Sequence, residues 1–192
     1  MKYFTIPGDL KKFFVTFHGT GGNEYSLLSV TGDVDPDASI ISFLGETGIG
    51  RSRRYFDPLI NGQLPRENVD EKVAKFLDMW DSIKPTDATV TFMGYSNGAN
   101  FILAILEKRP DIADKVVLLH PSDLGYKYSG GSDAAILVTI GASDTISLPG
   151  DTMKLVEKLK NSFPGTRMKL LDSGHEISSA EIDSVGNFMQ RG

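Results

Sequence analysis

The sequence predicts an α/β fold: one domain with a mostly parallel β-sheet and helices packed on both of its faces. Strand and helix patterns alternate along all 192 residues, and no internal repeat or linker interrupts them. The strand segments are almost continuously apolar, which is typical of parallel strands that are covered on both sides. A chain of this length can form one sizeable core but not two comfortable ones, so we assign residues 1–192 to a single domain without a large lid.

The predicted strands are short apolar segments rich in β-branched and aromatic residues, and the predicted helices carry apolar residues three and four positions apart. The strands cover residues 12–18, 38–44, 89–93, 115–119, 135–140 and 167–171. The helices cover residues 24–30, 68–84, 97–106 and 151–162, and a last helix begins at Ser178. Capping boxes are predicted at Asn68 with Glu71 and at Ser178 with Glu181.

Composition excludes several classes of protein. The net charge is −5 and the pI about 5.2, whereas a nucleic-acid surface needs a basic face. The chain has no cysteine, which rules out disulfides, a thiol nucleophile and a thiolate metal site. The N-terminal residues lack an apolar run of signal-peptide length, and no segment approaches the length of a membrane span. We therefore expect a cytoplasmic enzyme that binds neither nucleic acid nor a membrane.

The most informative stretch is Gly94-Tyr95-Ser96-Asn97-Gly98, a G-x-S-x-G sequence between a predicted strand and a predicted helix. In that context the serine sits at the tip of a strained turn, where the flanking elements leave no room for a side chain at either glycine. The turn exposes the Ser96 hydroxyl and directs the first N–H groups of the helix, led by that of Asn97, at any group bonded to it. The pattern predicts a nucleophilic serine; the alternative is an ordinary Ser/Gly turn that opens a helix.

Polar side chains follow the predicted strands, and the carboxyl ends of parallel strands share one edge of a sheet. Among these residues, His175 follows the last strand and Asp144 follows the strand before it. A serine needs a neutral imidazole as its base, and the imidazole needs a carboxylate that fixes its tautomer. The chain order Ser96, Asp144, His175 therefore predicts a catalytic triad, and Asp123 and Asp172 are the alternative acids.

A second oxyanion donor is expected in the loop His18-Gly19-Thr20-Gly21-Gly22, which follows the first predicted strand. We assign this donor to the backbone N–H of Thr20, with the N–H of Asn97 as the other. We interpret His18 as a packed residue that organises the loop.

The segment 48–56 is cationic in an otherwise acidic chain. We predict that its last two residues, Tyr55 and Phe56, wall the mouth of a substrate pocket. Two interpretations of its arginines stay open: a solvated surface loop, or contact with an anionic or aromatic ester.

Two other kinds of site compete with the triad. A dinucleotide fingerprint is nearly present at Gly19-x-Gly21-x-x-Glu24, but glutamate occupies the position of the third glycine. A metal site could draw on His18, His120 and His175, but no local ligand spacing supports it. We therefore predict neither a metal nor a cofactor.

The chain resembles the carboxylesterase/phospholipase group of α/β-hydrolases, the relatives of dienelactone hydrolase and acyl-protein thioesterase. The resemblance covers nearly the whole chain and rests on HGTGGNE at 18–24, RRYF at 53–56, GYSNGAN at 94–100, GASDTI at 141–146 and SGHEIS at 173–178. It implies a single-domain α/β-hydrolase fold and ester hydrolysis without metal or cofactor. It also implies the residue roles predicted above: the triad Ser96, Asp144 and His175, with backbone oxyanion donors at Thr20 and Asn97.

The sequence thus predicts a serine carboxylesterase that hydrolyses small soluble esters through an acyl-enzyme intermediate. The alternatives are a thioesterase or lysophospholipase-type acyl hydrolase and a non-catalytic binding protein with the same fold. The expected partner is a small-molecule ester, and a homodimer stays an open alternative to the monomer.

Overall fold

The computed structural model describes residues 1–190, which form one seven-stranded β-sheet with helices on both faces. The strands are β1 Lys2–Ile6, β2 Asp9–Phe17, β3 Ala38–Leu44, β4 Thr89–Tyr95, β5 Lys115–Leu119, β6 Ala135–Gly141 and β7 Thr166–Leu171. The helices are α1 Leu28–Val34, α2 Arg66–Ile83, α3 Asn97–Lys108, α4 Pro149–Ser162 and α5 Ser179–Met189, and a short 3₁₀ turn covers Gly50–Ser52.

The sheet is parallel except at one edge, which confirms the predicted fold class. Its spatial order is β1-β3-β2-β4-β5-β6-β7, and only β1 runs antiparallel to its neighbour. The register aligns the ends of the central strands, because Phe17 pairs with Gly94 and Gly94 pairs with Leu118. The loops that follow β2, β4, β5, β6 and β7 therefore meet along the same edge of the sheet.

Two hydrophobic cores cover the two faces of the sheet. The larger core joins α2, α3 and α4 to the strands, and the rings of Phe17, Phe76 and Phe101 pack against one another within it. The smaller core packs α1 and α5 on the opposite face through residues such as Val30 and Val185. Burial on both faces explains why the strands are continuously apolar. Among residues 1–190, no helix combines the length and the apolar character needed to cross a membrane.

The structure differs from the predicted elements at three places. The sequence pattern misses β1, because an exposed edge strand carries a weaker apolar signal than a buried one. Helix α1 covers Leu28–Val34 rather than residues 24–30, and turns precede it. The capping box at Asn68 is wrong: α2 already begins at Arg66, and the Asn68 side chain instead accepts a hydrogen bond from the N–H of Asp57 at 2.8 Å.

Candidate active site

Ser96 stands at the sharp turn between β4 and α3, as the motif predicts. Its backbone has φ 51° and ψ −110°, a conformation that L-residues rarely adopt and that costs about 1–3 kcal/mol. The flanking glycines are required for close approach: a Cβ at Gly98 would collide with the carbonyl oxygen of Phe17 in β2, and one at Gly94 would lie 2.7 Å from the N atom of Ala99. The fold therefore holds the hydroxyl of Ser96 away from the sheet and at the edge where the loops meet.

Three side chains from separate loops form a continuous hydrogen-bonded relay. The Oγ atom of Ser96 lies 2.9 Å from Nε2 of His175, and Nδ1 of His175 lies 2.8 Å from Oδ2 of Asp144. An ionised carboxylate only accepts hydrogen bonds, so Nδ1 carries the proton and Nε2 is left free to accept one from the serine. The structure thus brings together the three residues of the predicted triad.

The two alternative acids lie elsewhere. Asp123 forms an ion pair with Lys158, with both carboxylate oxygens 2.9 Å from Nζ. Asp172 is exposed to solvent, and among the residues described the carboxylates that hydrogen-bond to histidines are those of Asp144 and Glu181. Asp144 is therefore the carboxylate that the structure places against His175.

The Asp144 carboxylate is saturated with hydrogen bonds. Oδ1 accepts from the backbone N–H groups of Ile146 and Ser147, each at 2.8 Å, and Oδ2 accepts from His175 and from a second histidine, His120, also at 2.8 Å. Burial alone would raise the pKa of Asp144, but the hydrogen bonds from the two histidines and the two N–H groups outweigh it and lower the pKa. The carboxylate therefore stays ionised at neutral pH.

The sequence does not predict that a second histidine lies beside the triad. His120 and Glu181 are both fully buried, and Nε2 of His120 lies 3.2 Å from Oε2 of Glu181. Burial lowers the pKa of His120, but the hydrogen bonds and charges of Glu181 and Asp144 outweigh this effect and raise it. His120 directly follows β5, and this position is the signal in the sequence for its place at the site. Glu181 belongs to the capping box at Ser178, which gives no indication of a role at the site. As the capping box predicts, the N–H of Glu181 donates to Oγ of Ser178 at 3.3 Å, but the carboxylate of Glu181 lies against His120.

Two backbone N–H groups are available at the site. Asn97 opens α3, where the first N–H groups of a helix have no intrahelical acceptor, and Thr20 lies in the loop after β2. No acceptor for either N–H is found within residues 1–190. The side chain of Asn97 is used otherwise, because its Oδ1 accepts from the N–H of Tyr55 at 2.8 Å. Both predicted oxyanion donors thus border the same space as Ser96.

A cavity of about 330 Å³ opens at the relay. Its walls combine polar groups with apolar side chains. The lining residues are Thr20, Arg54, Phe56, Leu59, Tyr95, Ser96, Asn97, Asn100, Ser122, Leu124, Ile146, Ser147 and His175. Phe56 is therefore at the cavity, as predicted.

The prediction that Tyr55 walls the pocket is wrong. Tyr55 is fully buried in the larger core, and its ring stacks on that of Phe101 with centroids 5.0 Å apart. Its hydroxyl donates to the carbonyl oxygen of Phe43 at 2.9 Å and accepts from the N–H of His18 at 3.0 Å. The chain bends at Tyr55 and Phe56, and of the two rings that of Phe56 alone lines the cavity.

His18, His120 and His175 do not converge on one point, as a metal site formed by these three residues would require. His18 is buried, and its ring nitrogens contact the carbonyl oxygen of Gly19 at 2.7 Å and the N–H of Gly45 at 3.0 Å. Burial lowers the pKa of His18, in keeping with a neutral ring that organises the loop. Ligand atoms of His120, Asp144 and His175 lie within 4.8 Å of one another, but each histidine directs Nδ1 at the same carboxylate oxygen.

The chain is similar to known proteins over nearly its full length. "Putative hydrolase MhqD" of Bacillus subtilis (strain 168) is 25% identical over 191 residues, which cover 96% of this chain and 96% of that protein. The crystal structure of the Bacillus cereus carboxylesterase has a TM-score of 0.88 at 25% identity and covers 100% of this chain and 94% of its own. The protein Atu2452 of unknown function from Agrobacterium tumefaciens (str. C58) has a TM-score of 0.84 at 29% identity, over 97% of this chain and 94% of its own.

No protein-family profile matches the sequence. More distant structures share the fold, among them Zea mays acyl-protein thioesterase 2, with a TM-score of 0.81 at 19% identity over 98% of this chain and 97% of that chain. The sheet order, the helices on both faces and these neighbours define an esterase/thioesterase-type hydrolase fold. The chain thus has an α/β-hydrolase fold, and carboxylesterases and acyl-protein thioesterases are among its structural neighbours.

Proposed function

We propose that the protein is a serine carboxylesterase that hydrolyses small carboxylic esters through an acyl-enzyme intermediate. The observation that carries this proposal is the relay from Ser96 through His175 to Asp144, which ends in a cavity bordered by two free backbone N–H groups. The hydrolase and esterase names among the similar proteins support the same class of reaction.

In the acylation step, Ser96 Oγ attacks the ester carbonyl carbon as Nε2 of His175 takes its proton. The carbonyl oxygen becomes an oxyanion, and the N–H groups of Thr20 and Asn97 stabilise it at the positive end of α3. Asp144 stabilises the imidazolium without taking up its proton. His175 then returns the proton to the alkoxide oxygen, the C–O bond breaks, and the alcohol leaves.

In the deacylation step, His175 takes a proton from water, whose oxygen attacks the acyl carbon on Ser96. The second tetrahedral intermediate uses the same oxyanion site. It collapses as His175 returns the proton to Ser96 Oγ and the bond between Oγ and the acyl carbon breaks, which releases the acid and restores the serine hydroxyl. The cavity lies at the small end of the range for ligand sites, and this favours short, soluble esters over long acyl chains.

The test is covalent labelling with a fluorophosphonate probe at neutral pH. We expect one phosphonyl group per chain, located on Ser96 by peptide mass spectrometry, because the relay activates this hydroxyl alone. Prior incubation with a small p-nitrophenyl ester should slow the labelling. Folded protein that remains unlabelled, or that is labelled on another serine, would contradict the proposal and would favour a binding protein with the same fold.

A further inference from the structure

We infer that the ester substrate carries an anionic group, and that the guanidinium of Arg54 binds it beside the oxyanion site. This inference rests on the proposed esterase function. It names the class of substrate, which the relay itself leaves open, because a serine and a histidine act on any accessible ester carbonyl.

The first argument is charge. Arg54 is the one permanently charged residue among those that line the cavity, and no carboxylate lines it. Within residues 1–190, the arginines that form ion pairs are Arg66 and Arg109, and no carboxylate pairs with Arg54. Its Nε atom is buried and has no hydrogen-bond partner there. A partly buried cation without a counter-charge is unfavourable, and a bound anion would remove that cost.

The second argument is position. Nη2 of Arg54 donates to Oγ1 of Thr20 at 3.1 Å, so the guanidinium lies next to a proposed oxyanion donor. The backbone of Arg54 is held by two hydrogen bonds with Thr47, at 2.8 and 3.0 Å, and the adjacent Arg53 accepts from the N–H of Gly21 at 2.8 Å. Arg54 is thus fixed to the loop that follows β2, and the remaining N–H groups of its planar guanidinium match a carboxylate or phosphate.

The third argument is the contrast with the rest of the molecule. The chain has a net charge of −5, and a uniformly acidic surface would repel anionic substrates. Arg51, Arg53 and Arg54 are close together in the segment that ends at the cavity, and Arg54 is the one of the three that lines it. The chemistry that fits is an ester with an acidic group a few bonds from the carbonyl, such as the monoester of a short dicarboxylic acid.

The experiment compares matched esters. We expect wild-type kcat/KM to be about ten- to hundredfold higher for p-nitrophenyl hemisuccinate than for the neutral p-nitrophenyl butyrate, because a charge-assisted hydrogen bond contributes to this extent. Arg54→Gln should reduce this ratio to near one, and Arg54→Lys should restore part of it. Arg51→Gln, which removes a neighbouring exposed arginine, is the matched control and should keep the ratio within about twofold.

Further arms locate the anion. In a second pair, 4-acetoxybenzoate carries the negative charge on the alcohol side of the ester and phenyl acetate is its neutral counterpart. A phosphonate analogue of the hemisuccinate tests whether a phosphorus anion is bound in place of the carboxylate. A preference in any pair that Arg54→Gln abolishes supports the inference. Ratios near one in every wild-type pair, or ratios that survive Arg54→Gln, would overturn it while ester hydrolysis itself continues. Absence of all hydrolysis would instead count against the esterase function.

A second inference comes from the buried pair behind the relay. We propose that His120 and Glu181 are positioning residues, which hold Asp144 in place and set the electrostatic field that His175 faces. Asp144 is an acceptor, so Nδ1 of His120 carries a proton, and one further proton lies between Nε2 of His120 and Glu181. Thr139 donates its hydroxyl hydrogen to the other oxygen of Glu181.

The ring of His120 lies close to that of the proposed base. The centroids of His120 and His175 are 5.2 Å apart, and both rings share one oxygen of Asp144. The other titratable groups facing His120 are Glu181 from α5, Tyr95 from β4, whose ring centroid is 6.0 Å away, and Glu176 in the loop after β7. A protonated His120 therefore opposes the build-up of positive charge on His175, while Glu181 partly compensates from farther away.

The test is the pH profile of kcat/KM in three variants. His120→Asn keeps a donor for Asp144 but removes the charge, and His120→Gln moves the amide out of reach of Asp144. Glu181→Gln removes the counter-charge that keeps His120 protonated, so that His120 becomes neutral and both charges of the pair are lost. We expect the acid limb to move to higher pH by about half a unit to one unit in His120→Asn and Glu181→Gln. His120→Gln should also lose about tenfold in kcat, because Asp144 loses a positioning contact.

Asp183→Asn, an exposed change on the same helix, is the control and should leave the acid limb in place. Lower activity with an unmoved acid limb in both His120→Asn and Glu181→Gln would indicate a merely structural role and overturn the proposal. Nitrogen-15 spectra of the wild-type protein test it without any variant. At neutral pH both ring nitrogens of His120 should be protonated, and an unprotonated Nε2 would contradict the charged pair.

Discussion

Replacing Ser96 by alanine is expected to lower kcat for a small p-nitrophenyl ester by roughly 10⁴- to 10⁶-fold, the range for loss of a nucleophile from a serine triad. The oxyanion site and the cavity remain in the variant, but no oxygen is left to form the acyl-enzyme. Steady-state turnover measures the loss, and a stopped-flow burst of p-nitrophenol should disappear with it.

The fold of this variant should persist. Within residues 1–190, the Ser96 side chain makes no capping bond to α3, and His175 is the one hydrogen-bond partner of its hydroxyl. Alanine carries the same backbone strain at a φ of 51°, so the free energy of unfolding should change by less than about 1 kcal/mol. Thermal unfolding and circular dichroism check this expectation. Turnover within tenfold of the wild type in well-folded Ser96→Ala would place the nucleophile elsewhere.

The parts of the site that could be predicted from the sequence are those determined by local pattern and by strand order. The turn at Ser96 follows from two glycines in a strand–turn–helix context. The meeting of Asp144 and His175 follows from a general property of parallel sheets, whose carboxyl ends share an edge. Neither inference needs side-chain geometry, because backbone topology alone brings the loops together.

The parts that were missed depend on tertiary packing. His120 and Glu181 are 61 positions apart in the chain, and nothing local indicates that their side chains meet under Asp144. Both Tyr55 and Phe56 are predicted to wall the pocket, and that Phe56 alone lines it depends on how the chain bends there and packs Tyr55 into the core. The cap at Asn68 fails because the helix begins two residues earlier, at Arg66, which leaves the Asn68 amide free to bind the preceding loop.

Replacing Asp144 by asparagine is expected to lower kcat by about 10⁴-fold, as in serine proteases whose triad aspartate is replaced. Asparagine keeps the shape, and its Oδ1 can still accept from Ile146 and Ser147. Its Nδ2 now faces the two histidines as a donor, so Nδ1 of His175 must become an acceptor. The proton then moves to Nε2, where it blocks acceptance of the Ser96 proton.

The same substitution should make stability depend less on pH. The native pKa of Asp144 is lowered, so its contribution to the free energy of unfolding is present above the unfolded-state pKa and is lost as pH falls through the native value. The difference in unfolding free energy between wild type and Asp144→Asn should therefore be larger at pH 7 than at pH 3, as measured by urea denaturation at each pH.

Asp123→Asn and Asp172→Asn are the matched controls for the assignment of the acid. Asp123 is held by Lys158 and Asp172 is exposed, so both variants should keep kcat within about twofold of the wild type. If Asp144→Asn retains more than a tenth of wild-type activity while one of the controls loses a thousandfold, the relay is completed by a different carboxylate. Because His175 has a single Nδ1, only one of the three substitutions can produce the large effect, and the geometry assigns it to Asp144.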